Sequence, residues 1–318
     1  MRTLGIDTSN YTTSVCIYDS ENGIMLQKKL LLPVKEGEKG LRQSDAVFHH
    51  TSRLYPLMRE AFGESGGEID AIGVSEKPRD AEGSYMPCFL VGVNAANCIG
   101  AATGKTVYGF SHQSGHIAAA LYSCGKTELM KEKFIAFHVS GGTSEMLLVS
   151  PDDKNTFGVE IIGETLDLNC GQAVDRCGVM MGLRFPCGKE LEKLALQSNE
   201  KYSPKVCVKN GNCSLSGLEN QCRKMLDGGE SKENVARYCL DFICKTLEKM
   251  TEYAIAEYGS LPLVFAGGVM SNSIIREKIQ SRFGASFAEP DFSCDNAAGI
   301  ALLAALKGAD SECATVLC

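Results

Sequence analysis

The sequence predicts an α/β protein that consists of two related halves. Strand-like and helix-like segments alternate along the chain, which is typical of α/β architectures. A second series of segments begins near Phe134 and opens as the first series does, with a strand, a short polar turn and another strand. The two hairpins begin about 130 residues apart, so we interpret them as an internal duplication with halves at 1–110 and 111–318, the second carrying inserted helices.

The first half is predicted to begin with strands and to continue with helices and strands in alternation. Runs of β-branched and aromatic residues predict three strands, at Thr3–Ser9, Thr13–Tyr18 and Met25–Leu32. An apolar stripe at helical spacing predicts a helix at Leu41–Phe62. The following elements are a strand at Ile69–Ser75, a helix at Phe89–Ala102 and a strand at Thr106–Phe110.

The second half is predicted to begin with a hairpin and to end with helices. The run FIAFHVS, a Gly-Gly turn and the run EMLLVS predict the hairpin. Longer segments with apolar residues on one face predict helices at Asp167–Leu183 and Glu233–Glu257. The remaining elements are a buried-type strand at Leu261–Ala266 and closing helices at Asn272–Phe283 and Asp295–Leu306.

Composition indicates an ordinary soluble protein. The 318 residues are 44% apolar and 22% charged, and no apolar run approaches the roughly 20 residues of a membrane-spanning helix. The N-terminus lacks the pattern of a secretory signal, and 15 cysteines with no C-x₂-C spacing indicate reduced thiols rather than zinc ribbons. We therefore expect a cytoplasmic protein without membrane contact. Its net charge of −7 disfavours a protein that grips nucleic acid alone.

Two hairpin turns could bind a phosphate. Ser140, Gly141 and Gly142 follow a predicted strand, and consecutive N–H groups at such a turn can form an anion-binding concavity, although a plain glycine turn explains them equally simply. In the first hairpin, the Asp7 carboxylate could hold a metal-bound water while Thr8 and Ser9 complete the cradle. Taken singly, Asp7 is better explained as a turn-capping residue.

Two further segments are compatible with a nucleotide. Gly267 and Gly268 lie between a strand and a helix start, where the backbone can approach a base or ribose, while Asn272 could be a ligand or merely the helix N-cap. Asp175 could bind sugar hydroxyls or form a surface ion pair. The loop lysines Lys201, Lys205 and Lys209 could meet phosphate, but a solvated loop is the simpler interpretation.

The pair His112 and His116 is the clearest candidate for a metal site. Histidines four residues apart lie on one face of a helix and can bind one ion, with Asp295 as a candidate third ligand. A metalloprotease of the HExxH type needs a glutamate after its first histidine, and Gln113 cannot act as that base. His50 lies on the apolar face of its predicted helix and is better explained as a core histidine.

Taken together, these motifs resemble the Gcp/TsaD glycoprotease-like family, the transferases that put threonylcarbamoyl on tRNA adenosine. The similarity extends over nearly all of the chain. The segments that carry it are LGIDTS, PLMREAF, FLVGVNAA, SHQSGHIAAAL, HVSGGTSEMLLV, IIGETLD, GQAVDR, GLRFPCG, SLSGLEN, FAGGVMSN and CDNAAGIAL.

The resemblance implies the actin-like ATPase fold, with two related α/β domains around a nucleotide cleft. It implies that His112, His116 and Asp295 bind a divalent metal, for which histidine–carboxylate ligation suits iron or zinc. His50 matches a histidine that the family carries in the same helix. The implied substrate and nucleotide contacts are His138, Val139, Ser140, Gly141, Gly142, Asp175, Gly188 and Asn272.

The implied reaction joins threonylcarbamoyl-AMP to the N6 amine of the adenosine beside the tRNA anticodon, and AMP leaves. ATP with magnesium is a further implied cofactor. The implied partners are tRNA, a smaller paralogue and an ATPase helper. Because this chain is acidic, a partner protein could provide the basic surface that binds the RNA.

Several departures from the family pattern leave a second hypothesis open, a non-catalytic or regulatory paralogue that binds ATP and metal. The intact metal triad favours the enzyme, whereas the missing acid pair in the first turn favours the paralogue. The departures are Tyr11 and Thr12 for that acid pair, Asp7 for glutamate, Lys77–Asp80 for Gly-Pro-Gly, His138 for an apolar residue, Thr143 for histidine and Glu219 for lysine.

Overall fold

The computed structural model describes residues 1–9, 11–33, 41–152, 156–293 and 295–316, so Cys294 of the CDNAAGIAL motif lies outside the described residues. The chain divides into two compact units. Unit 1 comprises Met1–Lys131, Pro151–Gly158 and Asp291–Cys318, and unit 2 comprises Glu132–Ser150 and Val159–Pro290. This division differs from the boundary predicted at residue 110, because the helices at 112–123 and 298–316 pack against the first sheet.

Unit 1 contains a five-stranded sheet of order β3-β2-β1-β4-β5. Strands β1, β2 and β3 form an antiparallel meander, and β4 and β5 run parallel to β1. Its strands are β1 Arg2–Asp7, β2 Thr12–Asp19, β3 Ile24–Leu31, β4 Ala71–Lys77 and β5 Thr106–Ser111, and its helices are α1 Gln43–Ser65, α2 Phe89–Thr103, α3 His112–Ser123 and α9 Ala298–Val316.

Unit 2 contains a second five-stranded sheet, of order β8-β7-β6-β11-β12. Its chain order is that of the first sheet, which confirms the internal duplication. Its strands are β6 Phe134–Val139, β7 Ser144–Asp152, β8 Thr156–Glu164, β11 Leu263–Ala266 and β12 Ser286–Phe287, with a small pair formed by β9 Cys207–Lys209 and β10 Asn212–Ser214. Its helices are α4 Cys170–Met180, α5 Gly188–Ala195, α6 Ser216–Asp227, α7 Lys232–Tyr258 and α8 Ser273–Phe283.

Two predicted helices begin later than expected, because polar side chains cap the preceding turns. The helix predicted from Asp167 begins at Cys170, since Asn169 is its N-cap and donates its N–H to Gln172 Oε1 at 3.3 Å. The Asp167 carboxylate instead accepts from the N–H groups of Leu215 (2.7 Å) and Ser216 (3.1 Å). The last helix begins at Ala298, whose N–H donates to Asn296 Oδ1 at 3.0 Å.

Each unit has its own hydrophobic core. In unit 1, Leu4 and Ile6 of β1 pack with Leu54 and Leu57 of α1, and unit 2 has a larger core around α7. Most of the described cysteines are buried free thiols, as their number and context predicted. Across the described ranges, no helix is both long enough and apolar enough to cross a membrane.

Candidate metal centre

The metal ligands predicted from the sequence lie together in unit 1. His112 is the first residue of α3, and His116 lies one helical turn later. Asp295 stands just before the start of α9, which packs against α3. Because four residues span about one turn, both imidazole rings lie on one face of α3, with centroids 4.4 Å apart.

Three donor atoms converge on one point. The Nε2 atoms of His112 and His116 are 2.9 Å apart, and Asp295 Oδ1 lies 3.6 Å from the first and 3.3 Å from the second. Two ligands at the usual 2.0–2.1 Å from one ion are about 2.9 Å apart at a right angle and about 3.4 Å apart at a tetrahedral angle. The residues present therefore fit a single ion, and three protein ligands leave positions for water or substrate, as in catalytic sites.

Asp7 lies behind His112 and is fully buried at the end of β1. Its Oδ2 is 3.0 Å from His112 Nδ1, so the ionised Asp7 carboxylate accepts a hydrogen bond from the Nδ1–H group. In the neutral imidazole this leaves the Nε2 lone pair available to a metal ion. Burial would raise the pKa of Asp7, but the charge of His112 and the hydrogen bonds from His112 and Ser75 outweigh it and lower that pKa. A carboxylate that fixes the tautomer of a ligating histidine is the usual second partner at metal sites.

The metal-free cluster holds a proton. Burial opposes a charge on His112, but the negative charges of Asp7 and Asp295 and their hydrogen bonds raise its pKa to about 10. Burial likewise opposes a charge on Asp295, and the two histidines nevertheless hold the pKa of Asp295 far below its usual range. The same negative charges would favour a bound metal ion, which would displace this proton, and metal binding at the three residues stays a prediction.

Thr8 and Ser9, predicted as part of a phosphate cradle, are engaged inside unit 1. Thr8 Oγ1 donates to the Cys88 carbonyl at 3.0 Å and accepts from the Gly92 N–H at 3.1 Å. The N–H and Oγ of Ser9 both donate to Asp7, each at 3.0 Å. These contacts support Asp7, and the nucleotide contact of this turn stays a prediction.

In unit 2, the two glycine segments predicted to meet a nucleotide lie side by side. Ser140 Oγ accepts from the N–H groups of Gly142 (3.2 Å) and Thr143 (3.0 Å), which shapes the turn between β6 and β7. Gly267 has φ +102° and touches the backbone of Val139, so a side chain there would collide with that strand end.

The other predicted nucleotide contacts also lie in unit 2. His138 and Val139 end β6, with His138 paired to Glu145 of β7 and Ala266 of β11. Asn272 Oδ1 accepts from the Ile275 N–H at 3.1 Å, which confirms the helix-cap interpretation. That these residues and the exposed Gly268 contact a nucleotide stays a prediction.

Asp175 makes a contact that neither of its sequence interpretations contained. Its Oδ1 accepts from the Cys187 N–H at 2.7 Å, next to Gly188 at the first position of α5. Burial raises the pKa of Asp175, and this hydrogen bond opposes the rise. The contact joins α4 to the start of the next helix, α5, and depends on how the loop between them folds back.

Comparison with known proteins decides the family. The sequence model of TsaD, tRNA N6-adenosine threonylcarbamoyltransferase, matches residues 35–302. The chain belongs to the TsaD family. It is 32% identical to the tRNA N6-adenosine threonylcarbamoyltransferase of Herminiimonas arsenicoxydans and 31% identical to that of Ralstonia pickettii, with 96% of this chain and 92% and 91% of the relatives covered. This TsaD-family protein is therefore an acyltransferase that acts in tRNA modification.

Solved structures confirm the predicted actin-like ATPase fold of this TsaD-family chain. HypF in its phosphate- and nucleotide-bound form superposes with a TM-score of 0.61 at 12% identity, over 96% of this chain and 54% of that one. The (R)-2-hydroxyglutaryl-CoA dehydratase component A of Acidaminococcus fermentans gives 0.55 at 15% identity, over 97% and 99% of the two chains. The ROK hexokinase of Thermus thermophilus gives 0.50 at 16% identity, over 98% and 100%.

His50 in α1 is a core residue, as its place on the apolar face of the predicted helix indicated. His50 is fully buried, its Nδ1 lies 2.8 Å from Thr13 Oγ1, and its Nε2 has no hydrogen-bond partner in the described part of the chain. Burial lowers the pKa of His50 to about 4, with His49 and Arg53 acting in the same direction and Asp7 opposing. His50 is therefore neutral at pH 7.

His50 should make the folded protein acid-sensitive. The unfolded chain takes up a proton at His50 near pH 6.5 and the folded chain only near 4, so stability falls as pH drops through this window, by about 3 kcal/mol from this residue. Denaturant unfolding at pH 7, 5.5 and 4 measures the effect. The variant His50→Asn should lose less stability over that range than the wild type and the control His49→Asn. Equal pH slopes for His50→Asn and wild type would contradict this assignment.

Proposed function

We propose that this TsaD-family enzyme transfers threonylcarbamoyl from threonylcarbamoyl-AMP to the N6 amine of the tRNA adenosine next to the anticodon, in a metal-dependent reaction. The observation that carries the proposal is the convergence of His112, His116 and Asp295, whose three donor atoms are 2.9–3.6 Å apart. A chain that merely bound nucleotide would gain nothing from this arrangement.

The three side chains would hold a divalent ion, and imidazole with carboxylate suits iron or zinc. When bound, the ion supplies Lewis-acid polarisation of a carbonyl and a template for orienting it. Asp7 contributes orientation, because it holds His112 in the tautomer that directs Nε2 toward Asp295. Magnesium would accompany the phosphates of ATP rather than occupy this histidine-rich site.

The glycine segments of unit 2 would hold the nucleotide part of the donor. The close contact of Gly267 with Val139 supports this assignment, because it places both segments at the end of β6. We assign the adenylate or ATP contacts to the N–H groups of this turn and to Asp175, Gly188, Gly268 and Asn272, as the family pattern implies.

In the reaction, the N6 amine attacks the threonylcarbamoyl carbonyl carbon and a new C–N bond forms. The C–O bond to the AMP phosphate breaks, AMP leaves with that electron pair, and the amine loses one proton to solvent. A leaving group that carries a phosphate needs hydrogen-bond donors, and backbone N–H groups in glycine turns provide them without a side chain.

We propose further that the enzyme works in the cytoplasm with tRNA, the smaller family paralogue and the ATPase helper. The net charge of −7 supports RNA binding with the help of a partner protein, since RNA-binding surfaces are usually basic. The large apolar side chains exposed on α1 and α2, Phe48, Tyr55 and Leu90, further support a protein partner.

To test this function, the purified protein is incubated with threonylcarbamoyl-AMP and unmodified tRNA, with and without metal and ATP. Modified adenosine is detected by mass spectrometry. Modification should appear in the wild type and in the control His49→Ala, and fall by at least about 100-fold in His112→Ala, which removes a metal ligand. No modification, with partner proteins present and metal and ATP binding demonstrated, would instead favour the non-catalytic paralogue.

A further inference from the structure

The loop after β4, where the sequence departs from the family pattern, contacts the helix that carries both histidine ligands. Asp80 in this loop has an Oδ2 atom 2.8 Å from Ser111 Oγ and 3.0 Å from Ser114 Oγ. Its Oδ1 pairs with Lys77 Nζ at 3.1 Å, and the side chain is 18% exposed. Ser111 immediately precedes His112, and Ser114 lies between the two histidines.

Asp80 determines how the first turn of α3 is capped. An ionised carboxylate only accepts hydrogen bonds, so both serine hydroxyls direct their protons toward Asp80. Ser111 Oγ then uses its lone pairs as an acceptor: it accepts the Ser114 N–H at 3.1 Å as the N-cap of α3, and Ser114 Oγ lies 2.8 Å from it. The negative charge of Asp80 also lies at the N-terminus of α3, the positive end of the helix dipole, where it is stabilising.

The loop backbone makes a second contact with the same turn. The Pro78 carbonyl accepts the Gln113 N–H at 3.1 Å, so the loop satisfies another of the N–H groups that a helix start leaves without an intrahelical partner. The pairing of β4 with β5 shifts register between Ser75 and Lys77. Ser75, just before this irregularity, donates a hydrogen bond from its Oγ to Asp7 at 2.5 Å. Pro78 and Asp80, just after it, make the contacts with α3.

We propose that Asp80 is a positioning residue of the metal centre. It fixes the first turn of α3, and thereby the backbone of His112, so that the Nε2 atoms of His112 and His116 are held at one point before an ion arrives. Asp80 does not touch the ion, and it acts through Ser111 and Ser114. This inference rests on the proposed metal-dependent function.

The experiment measures binding of Co²⁺ to the metal-free protein by competition with a chelator, and records the visible absorption of the bound ion, which reports its coordination geometry. Asp80→Ala should weaken Co²⁺ binding by about 10–100-fold, the range for loss of a supporting residue, and should change the absorption spectrum. Asp80→Asn retains an acceptor oxygen without the charge and should lie between Asp80→Ala and wild type. Glu82→Ala, at an exposed carboxylate of the same loop, is the matched control and should bind as the wild type does.

If Asp80 has only a structural role, Asp80→Ala should lower the melting temperature of the protein but leave its Co²⁺ affinity within about twofold of that of Glu82→Ala. The absorption spectrum of the bound Co²⁺ should then also be unchanged. This result would overturn the proposal. If Asp80→Ala fails to fold, Ser114→Ala removes one partner of Asp80 while keeping the Ser111 cap, and unchanged binding there would be equally decisive. If wild type binds Co²⁺ no better than His112→Ala, the metal centre of the proposed function fails and this inference with it. Tight wild-type binding with unaffected Asp80 variants removes only this inference.

Discussion

Replacing Asp295 by asparagine should abolish tight metal binding and, with it, transferase activity. The Asp295 carboxylate lies 3.3 Å from His116 Nε2 and 3.6 Å from His112 Nε2, and it carries the only negative charge among the three converging donors. A neutral amide is a poor ligand for a divalent ion, so affinity should fall by more than the roughly 100-fold upper range for supporting residues. Competition with a chromophoric chelator measures the affinity, and mass spectrometry of the tRNA measures the activity.

The exposed Asp291, four residues earlier on the same segment, provides the matched control. Asp291→Asn makes the same chemical change at a position outside the cluster and should retain both metal binding and activity. Circular dichroism of the metal-free variants separates loss of a ligand from loss of the fold. Wild-type metal affinity in a folded Asp295→Asn variant would refute the assignment of Asp295 as a ligand.

The duplicated fold could be predicted because its signal is local. Each half opens with two strand-like apolar runs separated by a polar turn, which is the sequence pattern of a β-hairpin. The pairing of β6 with β7, from Phe134 to Val139, follows directly from it. The histidine pair was equally predictable, because the helical repeat places His112 and His116 on one face whatever surrounds them.

The contacts of the supporting residues could not be predicted, because they form through tertiary packing. Asp7 and His112 are 105 residues apart in the chain, and their hydrogen bond depends on β1 and β5 lying in one sheet. Asp80 stands in a loop whose sequence showed a departure from the family pattern and nothing of its partners. The packing of the last helix on the first sheet gave no sequence signal for the same reason, since α9 and β1 meet only in three dimensions.

Replacing Gly299 by alanine should destabilise unit 1 and weaken metal binding together. Gly299 lies in the first turn of α9, and a Cβ there would overlap the carbonyl oxygen of Gly115 and lie 2.7 Å from the N atom of Ala119. Since backbone cannot yield as a flexible side chain can, α3 and α9 would have to separate. Such overpacking costs about 2–3 kcal/mol, more than the roughly 1 kcal/mol by which alanine favours a helix over glycine.

The matched control for this prediction is Gly63→Ala in α1, where a Cβ meets no described atom within 4 Å. That variant should be as stable as the wild type or more stable by about 0.5–1 kcal/mol, because only helix propensity changes. Denaturant unfolding and chelator competition, measured on both variants, test the two effects. Wild-type metal affinity in a destabilised Gly299→Ala variant would show that the ligands tolerate movement of the helices. Paired losses would show that the close approach of Gly115 and Gly299 sets the distance between His116 and Asp295, and hence that backbone packing builds the metal centre.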